Sequence, residues 1–165
     1  MYKRQGALVT GFRLWSSEFE NGGTIPQKYT ADGDNISPPL GILDAPENTV
    51  SFALIMDDPD APGGTFTHWL FWNIPGSVVQ IPEHVQNSEN VPLWDGTARQ
   101  GINDFGRIGY SGPDPPSGAP HRYRFTVFAL DTSLGLAGGA AQSELEAAME
   151  GHILAQFTLT GLYGR

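Results

Sequence analysis

The chain of 165 residues contains no cysteine. Disulfide bonds, thiolate zinc sites and cysteine nucleophiles are therefore excluded, although this absence does not indicate a compartment. No window approaches 18 apolar residues, so the sequence predicts no membrane-spanning helix. The apolar stretch that follows the basic start, residues 7–9, is too short for the core of a signal peptide. We therefore expect a cytoplasmic protein, or a periplasmic or secreted one if a signal has been removed.

Basic residues are also scarce. Nine Lys and Arg stand against 18 Asp and Glu, which gives a formal net charge of −9. A negative domain repels phosphate backbones and anionic membrane surfaces. We therefore expect no nucleic-acid partner and no stable membrane insertion. A phosphate-bearing ligand would have to be bound by a local pocket, against the field of the whole protein.

The residues that are abundant indicate a β-rich fold. The 21 Gly and 13 Pro lie between apolar runs and form no tracts, which is typical of many short strands joined by structured turns. The length predicts a single domain over residues 1–165, with residues 1–6 as a disordered lead. Strands are predicted at residues 11–19, 49–56, 66–74, 123–130 and 155–162, with one or two short strands within 75–109.

One helix is predicted near the end of the chain. Ser143 and Glu146 have the spacing of a capping box, with Ser143 as the N-cap, and Gly151 is suited to end the helix. A strand-rich chain with one or two short helices favours a Greek-key β-sandwich of two antiparallel sheets.

Two polar segments stand beside the predicted strands. Residues 57–62, Asp-Asp-Pro-Asp-Ala-Pro, are followed by His68, and the Gly- and Pro-rich residues 109–118 are followed by His121 and Tyr123. Proline fixes φ and stiffens both loops. We therefore expect two carboxylates, two imidazoles and a phenol to meet at one end of the β core.

Strand periodicity predicts the direction of these side chains. His121 and Tyr123 alternate with Phe125 and Val127, so they are expected on the same face, at the open end of the core. His68 alternates with the apolar residues at positions 70, 72 and 74 and is expected to share their face.

The predicted cluster has donors for an anion. Imidazole N–H groups, the phenol O–H and the backbone N–H of Gly112 could converge on one. Asp58 would orient a histidine or accept a hydrogen bond from a ligand amine. The alternative for Asp58 is an ordinary turn cap, and a single histidine on an apolar face is commonly a core residue.

Catalytic alternatives have weaker patterns. Two His and two Asp suit zinc or iron chemically, yet the sequence has neither His-x-His nor His-Glu-x-x-His spacing. A metal-assisted hydrolase is therefore less favoured, and we expect no metal and no cofactor. A serine hydrolase is disfavoured because Gly-x-Ser-x-Gly is absent.

Both segments resemble signatures of the phosphatidylethanolamine-binding protein family, also called the Raf kinase inhibitor protein family. Residues 58–62 with His68-Trp69 resemble the first signature, and residues 109–118 with His121-Arg122-Tyr123 resemble the second. Residues 25–40 and 151–165 are similar to the bacterial and archaeal branch. The resemblance implies a Greek-key β-sandwich with an anion-accepting pocket at one end. Carried over to this sequence, the pocket comprises Asp58, Asp60, Pro62, His68, Gly112, Pro113, His121 and Tyr123.

The resemblance also implies a function. We expect a non-enzymatic, regulatory binding module for a small phosphate-bearing or phosphorylethanolamine-like anion. The alternative is an inhibitor of a protein partner such as a protease or kinase, because stiff loops such as residues 113–120 lose little entropy on docking. A homodimer is compatible with both hypotheses.

Overall fold

The computed structural model describes residues 11–165, so the predicted lead at residues 1–6 lies outside the described residues. These residues form eight strands, one α-helix and a 3-10 turn at Gln27–Tyr29. In chain order the elements are β1 (Arg13–Trp15), β2 (Leu40–Leu43), β3 (Ser51–Asp58), β4 (Phe66–Pro75), β5 (Gln80–Ile81), β6 (Arg99–Gln100), β7 (His121–Leu130), α1 (Gln142–Met149) and β8 (Ile153–Tyr163).

The strands form two antiparallel sheets. The larger has the order β6-β4-β3-β7-β8 and the smaller the order β1-β2-β5. Their facing sides form one core, in which Leu14 and Ile42 of the smaller sheet join Phe52, Phe71 and Val127 of the larger. This arrangement confirms the prediction of a mainly β fold with two antiparallel sheets.

The helix covers the other face of the larger sheet. Leu145 and Met149 of α1 pack in a second cluster with Ile55, Leu70 and Trp72. Strands β3 and β4 are thus buried on both faces, which explains their nearly continuous apolar sequences. Within the described residues, no helix is long and apolar enough to cross a bilayer.

Several boundaries differ from the sequence-based ones. Strand β1 has three residues and not nine, and its neighbour Ser16 already donates a side-chain hydrogen bond to the carbonyl of Pro39. Strand β7 begins at His121, which pairs with Tyr163 of β8, so His121 is a strand residue. The two short strands expected within residues 75–109 are β5 and β6.

The helix begins earlier than predicted. Its N-cap is Ala141 and not Ser143. Ala141 has no polar side chain, and the Glu144 carboxylate accepts the backbone N–H of Ala141 at 2.9 Å. Only one of the two hydrogen bonds of a capping box is therefore formed at the start of this helix, and it lies two residues earlier in the chain than predicted. Gly151 follows the C-cap with φ of 82°, as expected for a glycine that ends a helix.

A β-bulge in β4 sets the direction of His68. Met56 of β3 pairs with Trp69, but the next residue, Asp57, pairs with Thr67, so His68 is an extra residue in β4. Such a bulge places two successive side chains on one side of the sheet. His68 therefore points towards the inter-sheet core together with Trp69.

A second bulge restores the original alternation. Phe52 pairs with Ile74 and Leu54 with Phe71, which leaves one extra residue near Asn73, whose φ is 56°. The expectation that His68 shares a face with positions 70, 72 and 74 is therefore wrong for positions 70 and 72. Residues 70 and 72 face the helix, whereas Ile74 returns to the core between the sheets.

Candidate functional site

A cavity of about 160 Å³ lies at one end of the larger sheet. The strands β3, β4 and β7 contribute Asp58, Phe66, His68, His121 and Tyr123 to its wall. The connecting loops contribute Ala61, Pro62, Phe105, Asp114, Pro115 and Pro116. The two polar segments of the sequence therefore meet here, as predicted.

His121 is oriented by Asp58. The imidazole Nδ1 donates to the Asp58 carboxylate at 2.7 Å, and the two side chains are only 12% and 5% exposed. This bond fixes the ring and leaves Nε2 free for a ligand. Asp58 also accepts the backbone N–H of Asp60 at 2.8 Å. The same carboxylate is thus both the turn cap and the partner of a histidine.

His68 is held by a backbone carbonyl. Its Nδ1 donates to the oxygen of Ser111 at 2.6 Å, and the ring packs edge-on against Phe66, Phe105 and Tyr123. Burial lowers the pKa of His68, although the bond to Ser111 acts in the opposite direction. In the empty cavity at neutral pH the ring is therefore uncharged, and its Nε2 is an acceptor.

The Tyr123 hydroxyl is an unpaired polar group. Tyr123 is fully buried, and its hydroxyl oxygen has no hydrogen-bond partner among residues 11–165. Burial and, next, the charge and proximity of the Asp58 carboxylate raise the pKa of Tyr123, so the hydroxyl keeps its proton. Asp58 does not meet hydrogen-bond geometry with this hydroxyl, and its two oxygens accept from His121 and from the N–H of Asp60. A buried hydroxyl without a partner costs about 1–3 kcal/mol. The hydroxyl lies in the cavity wall, where no described residue accepts its proton.

Asp60 and Pro62 take different places. Pro62 lines the cavity, but Asp60 does not and instead binds Arg122, with Nη2 to Oδ1 at 2.8 Å and Nε to Oδ2 at 3.0 Å. This bond lowers the pKa of Asp60 to about 2. Asp60, His121 and Arg122 line an open groove of about 470 Å³ that adjoins the cavity.

Gly112 and Pro113 lie outside the cavity lining. The N–H of Gly112 donates to Asn35 Oδ1 at 2.7 Å, so it is not available to an anion, which corrects the prediction. A Cβ at Gly112 would collide with the carbonyl oxygen of Tyr29. The carbonyl of Pro113 accepts the N–H of Ala31 at 2.9 Å. Through these hydrogen bonds, Gly112 and Pro113 fix their own loop against residues 29–35.

Three residues of the site were not predicted from the sequence. Phe105 and Asp114 line the cavity, and Asn103 supports the loop that carries Phe105. Buried Asn103 donates to Gly109 O and to Ser111 Oγ, each at 3.1 Å, and its Oδ1 accepts the N–H of Phe105 at 2.9 Å. Nothing in the polar 101–110 segment indicates this role. Asp114 carried a signal, because it begins a second Asp-Pro pair like the one at Asp58.

A metal centre has little support in these side chains. Across residues 11–165, no group of three or more His, Asp and Glu is arranged to hold a metal ion. The cavity is defined instead by two oriented imidazoles, an unpaired phenol and apolar walls.

The fold and the site define a two-sheet β protein with a small polar pocket at one sheet end. The sequence model of the phosphatidylethanolamine-binding protein family matches residues 15–164. The chain is 50% identical to a UPF0098 protein of Aquifex aeolicus, over 97% of this chain and 98% of the relative. A Pyrococcus horikoshii UPF0098 protein, PH1269, is 52% identical, over 91% and 75%. The chain belongs to the phosphatidylethanolamine-binding protein family.

Solved structures agree with this assignment. CT736 of Chlamydia trachomatis, described as a homologue in this family, has a TM-score of 0.84 at 38% identity, over 93% of this chain and 97% of CT736. YbcL of Escherichia coli, described as a member of the mammalian family, has a TM-score of 0.82 at 32% identity, over 93% and 98%.

Proposed function

We propose that this protein is a non-enzymatic binding module for a small anion that carries a phosphate or a similar group. The observation that carries the proposal is the Tyr123 hydroxyl, which is buried without a partner in the cavity that also receives the free Nε2 atoms of His68 and His121. These three polar groups come from β4 and β7, the two strands that flank β3 in one sheet, so their separation is fixed before a ligand arrives.

The three groups suit a protonated phosphate. The Tyr123 hydroxyl donates to a phosphate oxygen. An uncharged imidazole accepts from a phosphate hydroxyl at Nε2, and a protonated imidazole donates from the same atom. Asp58 holds the His121 ring in place through Nδ1, so that Nε2 faces the ligand. The aromatic and proline walls exclude water and strengthen each of these hydrogen bonds.

The absence of a reaction is part of the proposal. In the cavity wall, as far as residues 11–165 form it, there is no serine, threonine or lysine to act as a nucleophile. The Asp58 carboxylate is engaged by His121 and by a backbone N–H.

Calorimetric titration tests the proposal. Wild type and His68→Ala are titrated with inorganic phosphate and with phosphorylethanolamine, and His84→Ala serves as control because His84 is exposed and lies outside the cavity. We expect saturable binding to wild type and to the control, and at least tenfold weaker binding to His68→Ala. Absence of heat for wild type with both ligands would refute the proposal.

A second candidate function rests on the adjoining groove. This groove of about 470 Å³ is open and is bordered by the proline-rich residues 116–120. A stiff rim beside an open groove favours docking of an extended segment of a protein partner, such as a protease or kinase. Inhibition of such a partner that survives His68→Ala but not Arg122→Glu would support this function over anion binding.

A further inference from the structure

Asp114 is a carboxylate in the wall of a cavity for which we propose an anion. Its Oδ1 accepts Nη2 of Arg165 at 2.7 Å. Arg165 also binds Asp32, with Nη2 to Oδ1 at 2.8 Å and Nε to Oδ2 at 3.0 Å, and it donates to the carbonyl of Pro115. One guanidinium therefore binds the carboxylates of Asp32 and Asp114 and the carbonyl of Pro115, and so fixes the start of the loop that follows residue 114.

We propose that Arg165 determines the preference of the cavity for anions by compensating the charge of Asp114. This inference rests on the proposed function and deepens it, because it assigns ligand selectivity to a residue outside the cavity lining. Arg165 acts through Asp114 and is a positioning residue.

The charges around the cavity support this role. The carboxylate of Asp58 is matched by His121, whereas Arg165 is the only cationic side chain that pairs with Asp114 within residues 11–165. Without the guanidinium, Asp114 would repel an incoming anion and attract a cation. The two charges already act in opposite directions at a group that faces the ligand, since Asp114 raises and Arg165 lowers the pKa of Tyr123.

Arginine is suited to this position. Its planar fork reaches Asp32 and Asp114 at the same time, which the single ammonium of lysine does not do. Tyr163 donates to Asp32 at 2.6 Å and fixes the far side of the cluster. The guanidinium and Asp114 side chains are 31% and 45% exposed, so solvent reduces the strength of their pair. The expected effect on affinity is moderate.

The test compares sulfate and inorganic phosphate affinities of four proteins by calorimetry. Arg165→Gln is expected to bind both anions about three- to tenfold more weakly. Asp114→Asn is expected to bind them more tightly than wild type does, because a negative charge is removed from the cavity wall. Arg99→Gln is the matched control, since it changes the net charge by the same amount and, within residues 11–165, its guanidinium donates only to the carbonyls of Gly96 and Ala98.

Asp114→Asn separates charge compensation from loop ordering. Asp114→Asn keeps an oxygen acceptor for Arg165 and the bond from Arg165 to Pro115, so the loop stays tied while the charge is lost. If Arg165 acted only by tying down the loop, Asp114→Asn would therefore bind with the affinity of wild type, and this result, or weaker binding, would overturn the inference. Equal affinity of Arg165→Gln and wild type would also overturn it. Loss of affinity in Arg99→Gln as large as in Arg165→Gln would assign the effect to net charge and overturn it as well.

A measurement made without ligand tests the charge compensation independently of the proposed function. The pKa of His68, followed by NMR without ligand, is expected to rise in Arg165→Gln and to fall in Asp114→Asn. Wild type that binds neither anion would refute the proposed function and with it the selectivity. An unchanged His68 pKa in both variants would refute the charge compensation alone.

Discussion

At the scale of single residues, the groups that face the cavity differ in how their polar atoms are satisfied. Each histidine has one nitrogen bound to the protein, His68 to a carbonyl and His121 to a carboxylate, and one nitrogen free. Tyr123 has no partner for its hydroxyl in the described part of the chain. No contact within residues 11–165 gives the Tyr123 hydroxyl a stabilising role in the fold. Its removal should therefore weaken ligand binding without weakening folding.

Tyr123→Phe should weaken anion binding and leave folding intact. The lost hydrogen bond to a charged ligand is worth about 1.5–3 kcal/mol, or roughly 10- to 100-fold in affinity. The free energy of unfolding should stay the same or rise by up to about 2 kcal/mol, because an unpaired buried hydroxyl is removed. Calorimetry and urea denaturation measure the two effects.

Tyr110→Phe is the matched control for this experiment. The Tyr110 hydroxyl is also buried, but it donates to the carbonyl of Tyr29 at 2.7 Å and lies outside the cavity. Its removal should destabilise the fold by about 1–3 kcal/mol and leave binding unchanged. Weaker folding with unchanged binding in Tyr123→Phe would contradict our assignment of the hydroxyl.

The pH dependence of sulfate binding follows from the same residues. Burial places the free pKa of His68 below its usual 6.5, and an anion at Nε2 would raise it. Sulfate has no proton to donate to an uncharged Nε2, so its binding takes up protons. Affinity should therefore fall as pH rises above the lowered free pKa of His68 and until it reaches the raised pKa of the bound state, by up to about tenfold per pH unit for each proton.

Calorimetry in two buffers of different ionisation enthalpy counts the protons directly. Inorganic phosphate, which can donate its own proton, should show a weaker dependence on pH. Sulfate binding that is independent of pH between 6 and 8 would show that neither histidine contacts the anion.

At the scale of elements, alternation along a strand predicted some directions and not others. For β7 it placed His121 and Tyr123 on the core face, because β7 pairs with β8 without a register shift from His121 to Ala129. For β4 it predicted the wrong neighbours of His68, because two bulges interrupt the strand. Neither bulge is indicated by a glycine in the sequence of β4. At the second bulge the residue with a positive φ is Asn73, which stands between Trp72 and Ile74.

The loop that carries Phe105 depends on Asn103. Asn103→Ala should destabilise the protein by about 3 kcal/mol, because several buried backbone groups lose their only side-chain partner. It should also weaken anion binding, because Phe105 packs against His68. Urea denaturation and calorimetry measure both effects.

The neighbouring Ile102 provides a control for that loop. Ile102 is 39% exposed, and Ile102→Ala should change the free energy of unfolding by less than about 1 kcal/mol. If Asn103→Ala were no more destabilising than Ile102→Ala, the hydrogen bonds of Asn103 would not hold this wall of the cavity.

At the scale of the whole molecule, composition and the pattern of apolar residues indicated the fold class, but they did not indicate the contacts between loops. Of the five strands predicted from the spacing of apolar runs, four lie within about two residues of the observed strands, and the fifth, at residues 11–19, is shortened to three residues. The spacing did not predict that Asn35 would occupy the N–H of Gly112, because that contact joins loops 77 residues apart. Contacts of this kind depend on the tertiary structure and leave no local pattern.

The net charge of −9 bears on the family name. An acidic surface is repelled by anionic headgroups, so the protein should not sediment with vesicles of phosphatidylethanolamine and phosphatidylglycerol, even at low ionic strength. Soluble phosphorylethanolamine should bind under the same conditions. Sedimentation with vesicles that His68→Ala abolishes would show that the cavity reaches a lipid headgroup at a membrane surface.

Histidine-ring nitrogen NMR during a titration with inorganic phosphate tests directly whether the cavity binds an anion. We expect saturable shifts of Nε2 in His68 and His121, with small changes at their Nδ1 atoms and none at the exposed His84 and His152. Unchanged Nε2 resonances of both cavity histidines at millimolar phosphate, or equal shifts in all four histidines, would contradict this expectation.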